Sequence, residues 1–315
     1  MSYRFEKSKR VADDVRRVVN EQVDKALERV TSRNGNKDDA VHDARVCFKK
    51  IRAVLRLTRD QLDDEFKVEN TFYRDLGRRL AAVRNNTAML EVFVKLKERY
   101  ADQLAPGALK EQRQPFVVSN ARQSREKRKA MSEVGRSIRA GRRRIGNWPL
   151  GKDGFGDLAL GLKGSYKQGR ERFAIARDDP TVENLHEWRK RVKDLWYQLR
   201  LLKNIWPAEM SELADELKKL GDYLSDSHDL AMLRQAATEH AKQAKDEGAE
   251  IETLIALIDQ QRAELRLEAT LLGRRIYAEK PRAFVNRLGV YWQAWRAESK
   301  LKPLAAKAAK PWAAP

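Results

Sequence analysis

The chain writes one helix twice. At an offset of 144 residues, Val41-His42 is matched by Leu185-His186, Arg45 by Arg189, Lys49 by Lys193 and Arg56-Leu57 by Arg200-Leu201. The apolar positions keep the same register, with Ala44, Phe48, Ile51 and Leu55 standing against Trp188, Val192, Leu195 and Leu199. Ala88-Met89-Leu90 is matched by Ala231-Met232-Leu233 at an offset of 143. Self-similarity at such a spacing marks a structural unit copied whole, so the second half is expected to repeat the fold of the first.

That fold is expected to be all-α. Apolar residues recur at helical spacing over 11–30, 39–60, 69–100 and 119–144 in the first half, and over 165–176, 181–204, 209–245, 249–279 and 281–298 in the second. Asn34-Gly35-Asn36, Ala105-Pro106-Gly107 and Trp206-Pro207 punctuate them, Asp38 or Asp39 is a candidate N-cap, and Asp179-Pro180-Thr181 opens a helix. No alternating segment flanked by hairpin turns is present. The glycines at 151, 154, 156, 161 and 164 form the densest such stretch and predict a connection between units 1–150 and 151–298. Residues 299–315, rich in Ala, Lys and Pro, predict a disordered tail.

Composition narrows the function. The 315 residues hold 65 Lys+Arg against 46 Asp+Glu, a formal charge of +19, with 42% hydrophobic residues, enough for a large core. No run approaches the roughly 18–20 apolar residues of a membrane span, and the start MSYRFEKSKR lacks the apolar segment of a secretion signal. Cys47 stands alone, so neither an internal disulfide nor a cysteine zinc site is expected. A cytoplasmic location without membrane contact is the expectation, and the charge excess points to an anionic partner.

The repeated helix shows where that charge is used. At about 100° per residue, His42, Arg45, Lys49, Arg52 and Arg56 share an arc of roughly 80° opposite Ala44, Cys47, Phe48, Ile51, Val54 and Leu55. In the second copy His186, Arg189, Lys190, Lys193, Tyr197 and Arg200 share roughly 100°. Each stripe runs roughly 21 Å at 1.5 Å per residue. Like charges three and four residues apart repel by a few tenths of a kcal/mol per pair, and a surface kept only for solubility interleaves acids. Here Asp43, Glu187 and Asp194 are the only acids, and the helical wheel sets all three off the stripes. A solvated basic face is the plain alternative for one copy, and repetition in register argues against it. The basic segment 119–144, with ten cations from Arg122 to Arg144 against Glu126 and Glu133, adds to the excess. A linear polyanion held by forked arginines and point-charge lysines is the chemistry this pattern suits.

These residues resemble the CHAD domain, a histidine-containing α-helical family. The resemblance rests on Val41-His42-x-x-Arg45-x-x-x-Lys49-Lys50-x-Arg52-x-x-x-Arg56. It rests also on Asp179-Pro180-Thr181-x-x-x-Leu185-His186-x-x-Arg189-Lys190-x-x-Lys193-x-Leu195-x-Tyr197. Tyr166-x-x-x-Arg170, Leu220-Gly221-Asp222 and His228-Asp229-Leu230 also fit, whereas Arg84-Asn85-Asn86 departs from the family's usual Arg-Asp pair. The resemblance implies two pseudo-symmetric antiparallel four-helix bundles around a central basic cleft. It also implies a non-enzymatic module that binds inorganic polyphosphate without a cofactor and, in bacteria, often associates with polyphosphate granules. Carried over residue by residue, polyphosphate contacts fall on His42, Arg45, Lys49, Lys50, Arg52, Arg56, His186, Arg189, Lys190, Lys193 and Arg200, with Arg170 and Tyr197 beside them.

Three other readings compete. Nucleic-acid binding suits the charge, but no helix-turn-helix, zinc finger or interleaved aromatic set accompanies the stripes, Tyr197 excepted. A metal or phospho-residue site formed by His42 and His186 at a symmetry axis is opposed by the surrounding cations. His228 and His240 have no partner at ligand spacing and read as ordinary polar residues. For catalysis, Gly161-Leu162-Lys163-Gly164-Ser165 only superficially resembles a phosphate loop. Glu250-Ile251-Glu252 lacks the lysine of a triphosphatase signature, and Cys47 lies on the apolar face. Trp188, Trp196, Trp206, Trp292 and Trp295 are expected to pack core and bundle ends.

Overall fold

The protein was studied as a computed structural model, which describes residues 3–7, 10–32, 35–82, 87–104, 121–151, 154–241 and 248–308. Among the described residues the regular structure is entirely helical. The helices are α1 (Val11–Thr31), α2 (Lys37–Leu57), α3 (Arg59–Leu62), α4 (Asp64–Ala82), α5 (Thr87–Arg99) and α6 (Ala121–Arg142) in the first half. The second half holds α7 (Gly156–Asp178), α8 (Val182–Leu201), α9 (Pro207–Ala241), α10 (Gly248–Ile276) and α11 (Pro281–Ala308).

Local chemistry accounts for the starts of the two repeated helices. Asn36 caps α2, its side chain accepting from the Asp38 amide at 2.8 Å, so the cap lies just ahead of the expected Asp38 or Asp39. Those acids instead occupy the first turn, where they face the positive end of the helix dipole. Thr181 caps α8 by accepting from the Asn184 amide at 3.1 Å. Gly35, at φ 93°, makes the left-handed turn that a side chain would resist. The segment expected as one helix over 39–60 breaks after Leu57, and Asp63, at φ 44°, separates α3 from α4. The segment expected over 69–100 is two helices, α4 and α5; 83–86, 105–107 and 119–120 lie outside the described residues.

Helices α1, α2, α4 and α6 pack on one another, as do α7, α8, α9 and α10, and α11 lies on α7. Val15, Val19, Val41, Phe48, Ile51, Leu76, Leu80 and Val134 fill the first set, and Leu162, Trp188, Val192, Leu195, Leu220 and Leu272 the second. The two sets share one continuous apolar core because α2 packs directly on α7 and α8. At about 1.5–3 kcal/mol for each large apolar side chain buried, such a core outweighs like-charge repulsions of tenths on the helix surfaces. A second, smaller cluster joins Phe93, Leu96 and Tyr100 of α5 to Leu230 and Leu233 of α9 and Ile251, Leu254 and Ile258 of α10.

Within the glycine-dense stretch, Gly161 serves packing. Gly156, Gly161 and Gly164 lie within α7, which begins well before residue 165. A Cβ on Gly161 would stand 2.1 Å from the Leu57 carbonyl oxygen, so α7 and α2 touch backbone to backbone there. Gly161 to Ser165 are thus helical and form no phosphate loop. At the other end α11 runs as helix to Ala308, past the boundary expected at 298, because Ala and Lys extend an existing helix without a new nucleus. Residues 309–315 lie outside the described residues. Trp292 and Trp295 are buried, with their rings 5.2 Å apart and Phe5 edge-on to Trp292 at 6.2 Å. Trp196 is half-buried, and Trp206, just before α9, is 45% exposed and meets Tyr291 edge-on. Cys47 is buried, and desolvation pushes its thiol up, away from nucleophilic use.

Candidate functional site

The end of the first stripe meets α8 where α2 crosses it, against Asp194 and Arg191, which lie off the second stripe. The Gln198 side chain donates to the Ala53 carbonyl at 3.2 Å and to Ser165 Oγ at 2.9 Å, tying α2, α8 and α7 at one point. Arg56 Nη1 lies 3.2 Å from Asp194 Oδ1, and Arg191 Nη2 lies 3.2 Å from Asp194 Oδ2. Arg191 Nη1 also donates to Gln168 Oε1 at 3.1 Å, and Arg52 Nε to Asn70 Oδ1 of α4 at 3.0 Å. Beside these contacts, between the first-half helices and α7–α8, is a cavity of about 220 Å³ lined by Arg56, Arg59, Asn70, Ser165, Gln168 and Arg191. Three guanidiniums thus border one opening between the halves, while the nearby carboxylate of Asp194 holds two of them in place.

A second cationic group gathers around aromatic rings at the same crossing. Lys50 Nζ sits 5.2 Å from the centre of the Tyr3 ring, and the Tyr3 hydroxyl donates to the Lys50 carbonyl at 3.0 Å. Tyr3 meets Tyr197 edge-on at 6.4 Å. Arg200 and Lys193 approach the Trp196 ring at 4.9 and 5.9 Å. Tyr197 is itself buried, and desolvation pushes its hydroxyl up to about 12, so it packs beneath the cations and stays neutral.

Of the rest of the second stripe, Arg189 and Lys193 face α9, while Lys190 is exposed and pairs within α8. Arg189 Nε donates to Ser225 Oγ at 2.8 Å, Lys193 Nζ lies 3.9 Å from Asp222, and Lys190 pairs with Glu187. The His186 ring stacks obliquely on His228 at 4.8 Å. His228 is thus brought to the stripe by α8–α9 packing, a partner that helical spacing could not reveal. The Nδ1 atoms of both rings are buried without a hydrogen-bond partner. On the first stripe His42 and Lys49 are exposed and Arg45 is half-buried. Arg170 is exposed on α7 and acts on Tyr166, and no contact joins it to the stripes among the described residues.

Burial and mutual repulsion make the site's cations uneasy in their charged form. Burial lowers Lys50, with Arg200 adding to the effect, and burial lowers Arg52, with Arg56 next to it. Burial likewise lowers Arg56, against the pull of Asp194, and Lys193, beside Arg189. Groups held this way gain when an anion arrives. Among the described residues no group of three or more His, Cys, Asp or Glu is placed to hold a metal ion. No helix among them is long and apolar enough to cross a membrane.

Arg59, Arg191, Asp194 and His228 escaped sequence reasoning because a helical wheel treats one helix at a time. Asp194 lies off its own helix's stripe yet reaches Arg56 of α2 from across the crossing. The only signal for His228 was its place in the His228-Asp229-Leu230 motif. Arg84-Asn85-Asn86 lies outside the described residues.

Comparison with known proteins bears on the family and the fold. The family model for the CHAD domain matches residues 17–238. The crystal structure of the CHAD domain from the plant Ricinus communis is similar at a TM-score of 0.63 and 13% identity, covering 88% of this chain and 95% of that one. At that identity the likeness speaks for the fold alone. Among curated proteins, none matches.

Proposed function

Since the chain belongs to the CHAD domain family, we propose that it is a binding protein for inorganic polyphosphate, held by multidentate salt bridges at the meeting of its two repeats. The observation that carries this reading is the opening between the halves bordered by Arg56, Arg59 and Arg191. Arg56 belongs to the first stripe, and Lys50 and Arg200 lie near each other at the same crossing. A linear chain of phosphates offers a charge at every unit and no bases, which suits a site of Arg, Lys and His whose aromatic neighbours lie beneath the cations. The role is binding, without catalysis or cofactor, and association with polyphosphate granules follows from it.

Charge reversal tests the assignment. Lys49→Glu with Lys193→Glu should weaken equilibrium binding of long-chain polyphosphate at least tenfold, whereas Lys307→Glu with Lys310→Glu should change it less than twofold. Equal effects of the two pairs would remove the site from the stripes. Competition with duplex DNA at matched charge and salt addresses the nucleic-acid reading, since equal affinity would make the protein a general polyanion binder.

A further inference from the structure

Helix α6 and the 3-10 turn that follows it, Arg143–Asn147, sort their cations by direction. On the side that meets the protein, Lys127 Nζ donates to Asp38 at 2.5 Å, Arg142 pairs with Asp24 at 2.7 Å, and Arg144 pairs with Glu69 at 2.6 Å. Met131, Val134 and Ile138 are buried on that same side. On the opposite side Arg125, Arg128, Lys129, Arg136, Arg139 and Arg143 are all exposed, and none makes an ion pair or side-chain hydrogen bond among the described residues. At about 100° per residue the five from Arg125 to Arg139 share an arc of roughly 100° and extend over roughly 21 Å, with Arg143 in the 3-10 turn that follows α6. Pairs such as Arg125/Lys129 and Arg136/Arg139 repel, and the only acids between 125 and 143, Glu126 and Glu133, lie to one side of the arc.

This surface is separate from the opening between the repeats. Both α6 and α2 pack on α1 and α4, so they form the diagonal pair of that helical set, and the outer face of α6 looks away from the α2–α8 crossing. The segment carries no aromatic residue for base stacking between 121 and 143. Its apolar side is buried in the bundle, which removes the means of entering a lipid surface. What remains is a line of forked donors suited to successive phosphates.

We propose that the outer face of α6 is a second polyphosphate-binding surface, and that one chain thereby holds two polyphosphate segments at once and cross-links them. The proposal rests on the function proposed above for the first surface and extends it from capture to condensation, since two sites on one body bridge long chains that a single site only decorates.

The test uses the full chain, short-chain and long-chain polyphosphate, and two variants. The first, Arg128→Gln with Arg136→Gln and Arg139→Gln, alters exposed residues only, and its unchanged helical signal and melting temperature serve as the folding check. The second, Lys49→Gln with Arg59→Gln, removes one cation of the first stripe and one of the opening beside it. The unaltered protein should show two classes of site for short chains, and light scattering with long chains that rises and then clears in excess polyphosphate. The α6 variant should lose one class and the scattering while keeping the other class within twofold. Scattering undiminished in that variant, or loss of both classes, overturns the proposal. A variant that loses duplex DNA binding while keeping polyphosphate cross-linking also overturns it and assigns α6 to nucleic acid. If the second variant leaves short-chain binding untouched, the first surface is wrong, and α6 is still decided by its own variant.

Discussion

Arg56 and Asp194 form an ion pair across the α2–α8 crossing with 13% and 14% of their side chains exposed, and the repeat breaks its symmetry there. The offset of 144 makes Arg200 the mate of Arg56 and Lys50 the mate of Asp194. Lys50 and Arg200 do lie close enough to repel. One half of the crossing is thus an internal salt bridge, and the other is two cations awaiting a counter-charge.

Asp194→Asn should expose this difference. It leaves Arg56 and Arg191 without their carboxylate, and breaking a pair this buried costs about 3 kcal/mol, the lower end for buried pairs because some water reaches it. Urea unfolding should show that loss, while polyphosphate affinity rises because the anion no longer competes with Asp194. Lys50→Asp should do the reverse, pairing with Arg200 to raise the urea midpoint and weakening binding. Changes of stability and affinity in the same direction in both variants would separate the crossing from the site.

The His186–His228 pair sets a pH dependence. Burial lowers His186, helped by Lys190 and Arg189 and opposed by Glu187 and Glu183. Burial lowers His228, helped by Arg189 and His186 and opposed by Asp229. Both folded values lie below the unfolded value of about 6.5, so in that window the unfolded chain binds more protons and stability rises with pH. The penalty is complete below the folded values and absent above about 6.5. Urea midpoints of the free protein should therefore fall on going from pH 7.5 to pH 5, and His186→Gln with His228→Gln should flatten that part of the slope. A bound polyanion favours the protonated rings, so complex formation below neutrality should take up protons, read by calorimetry in buffers of different ionisation enthalpy.

Gly161→Ala should force α2 and α7 apart, since its new methyl would lie 2.1 Å from a carbonyl oxygen. The expected cost is about 2–3 kcal/mol, read as a lowered melting temperature. Gly164→Ala, in the same helix with nothing within 4 Å, is the control and should gain roughly 0.5–1 kcal/mol from the helix preference alone. A similar loss at both positions would argue against close contact at residue 161.

What the sequence disclosed and what it concealed divide along physical lines. The repeated helices were legible because periodicity and capping are local: Thr181 caps α8 where the Asp179-Pro180-Thr181 turn predicts it. The stripes were legible because charge on one helix follows from angle alone. Gly161 was misread as part of a linker because its purpose is a neighbouring backbone, and glycine looks the same in a loop and in a tight crossing. Asp194 and His228 were missed because their partners are on other helices. The direction of the α6 cations was likewise hidden until α1 and α4 showed which side was inside.

The cluster of Phe93, Leu96 and Tyr100 against α9 and α10 makes each repeat an unfinished body. During synthesis α5 emerges with its greasy edge bare and stays so until more than a hundred further residues have left the ribosome. A chain cut after residue 150 would carry that edge permanently into water, which ties the inheritance of the two copies together: neither can be shed without leaving the other sticky.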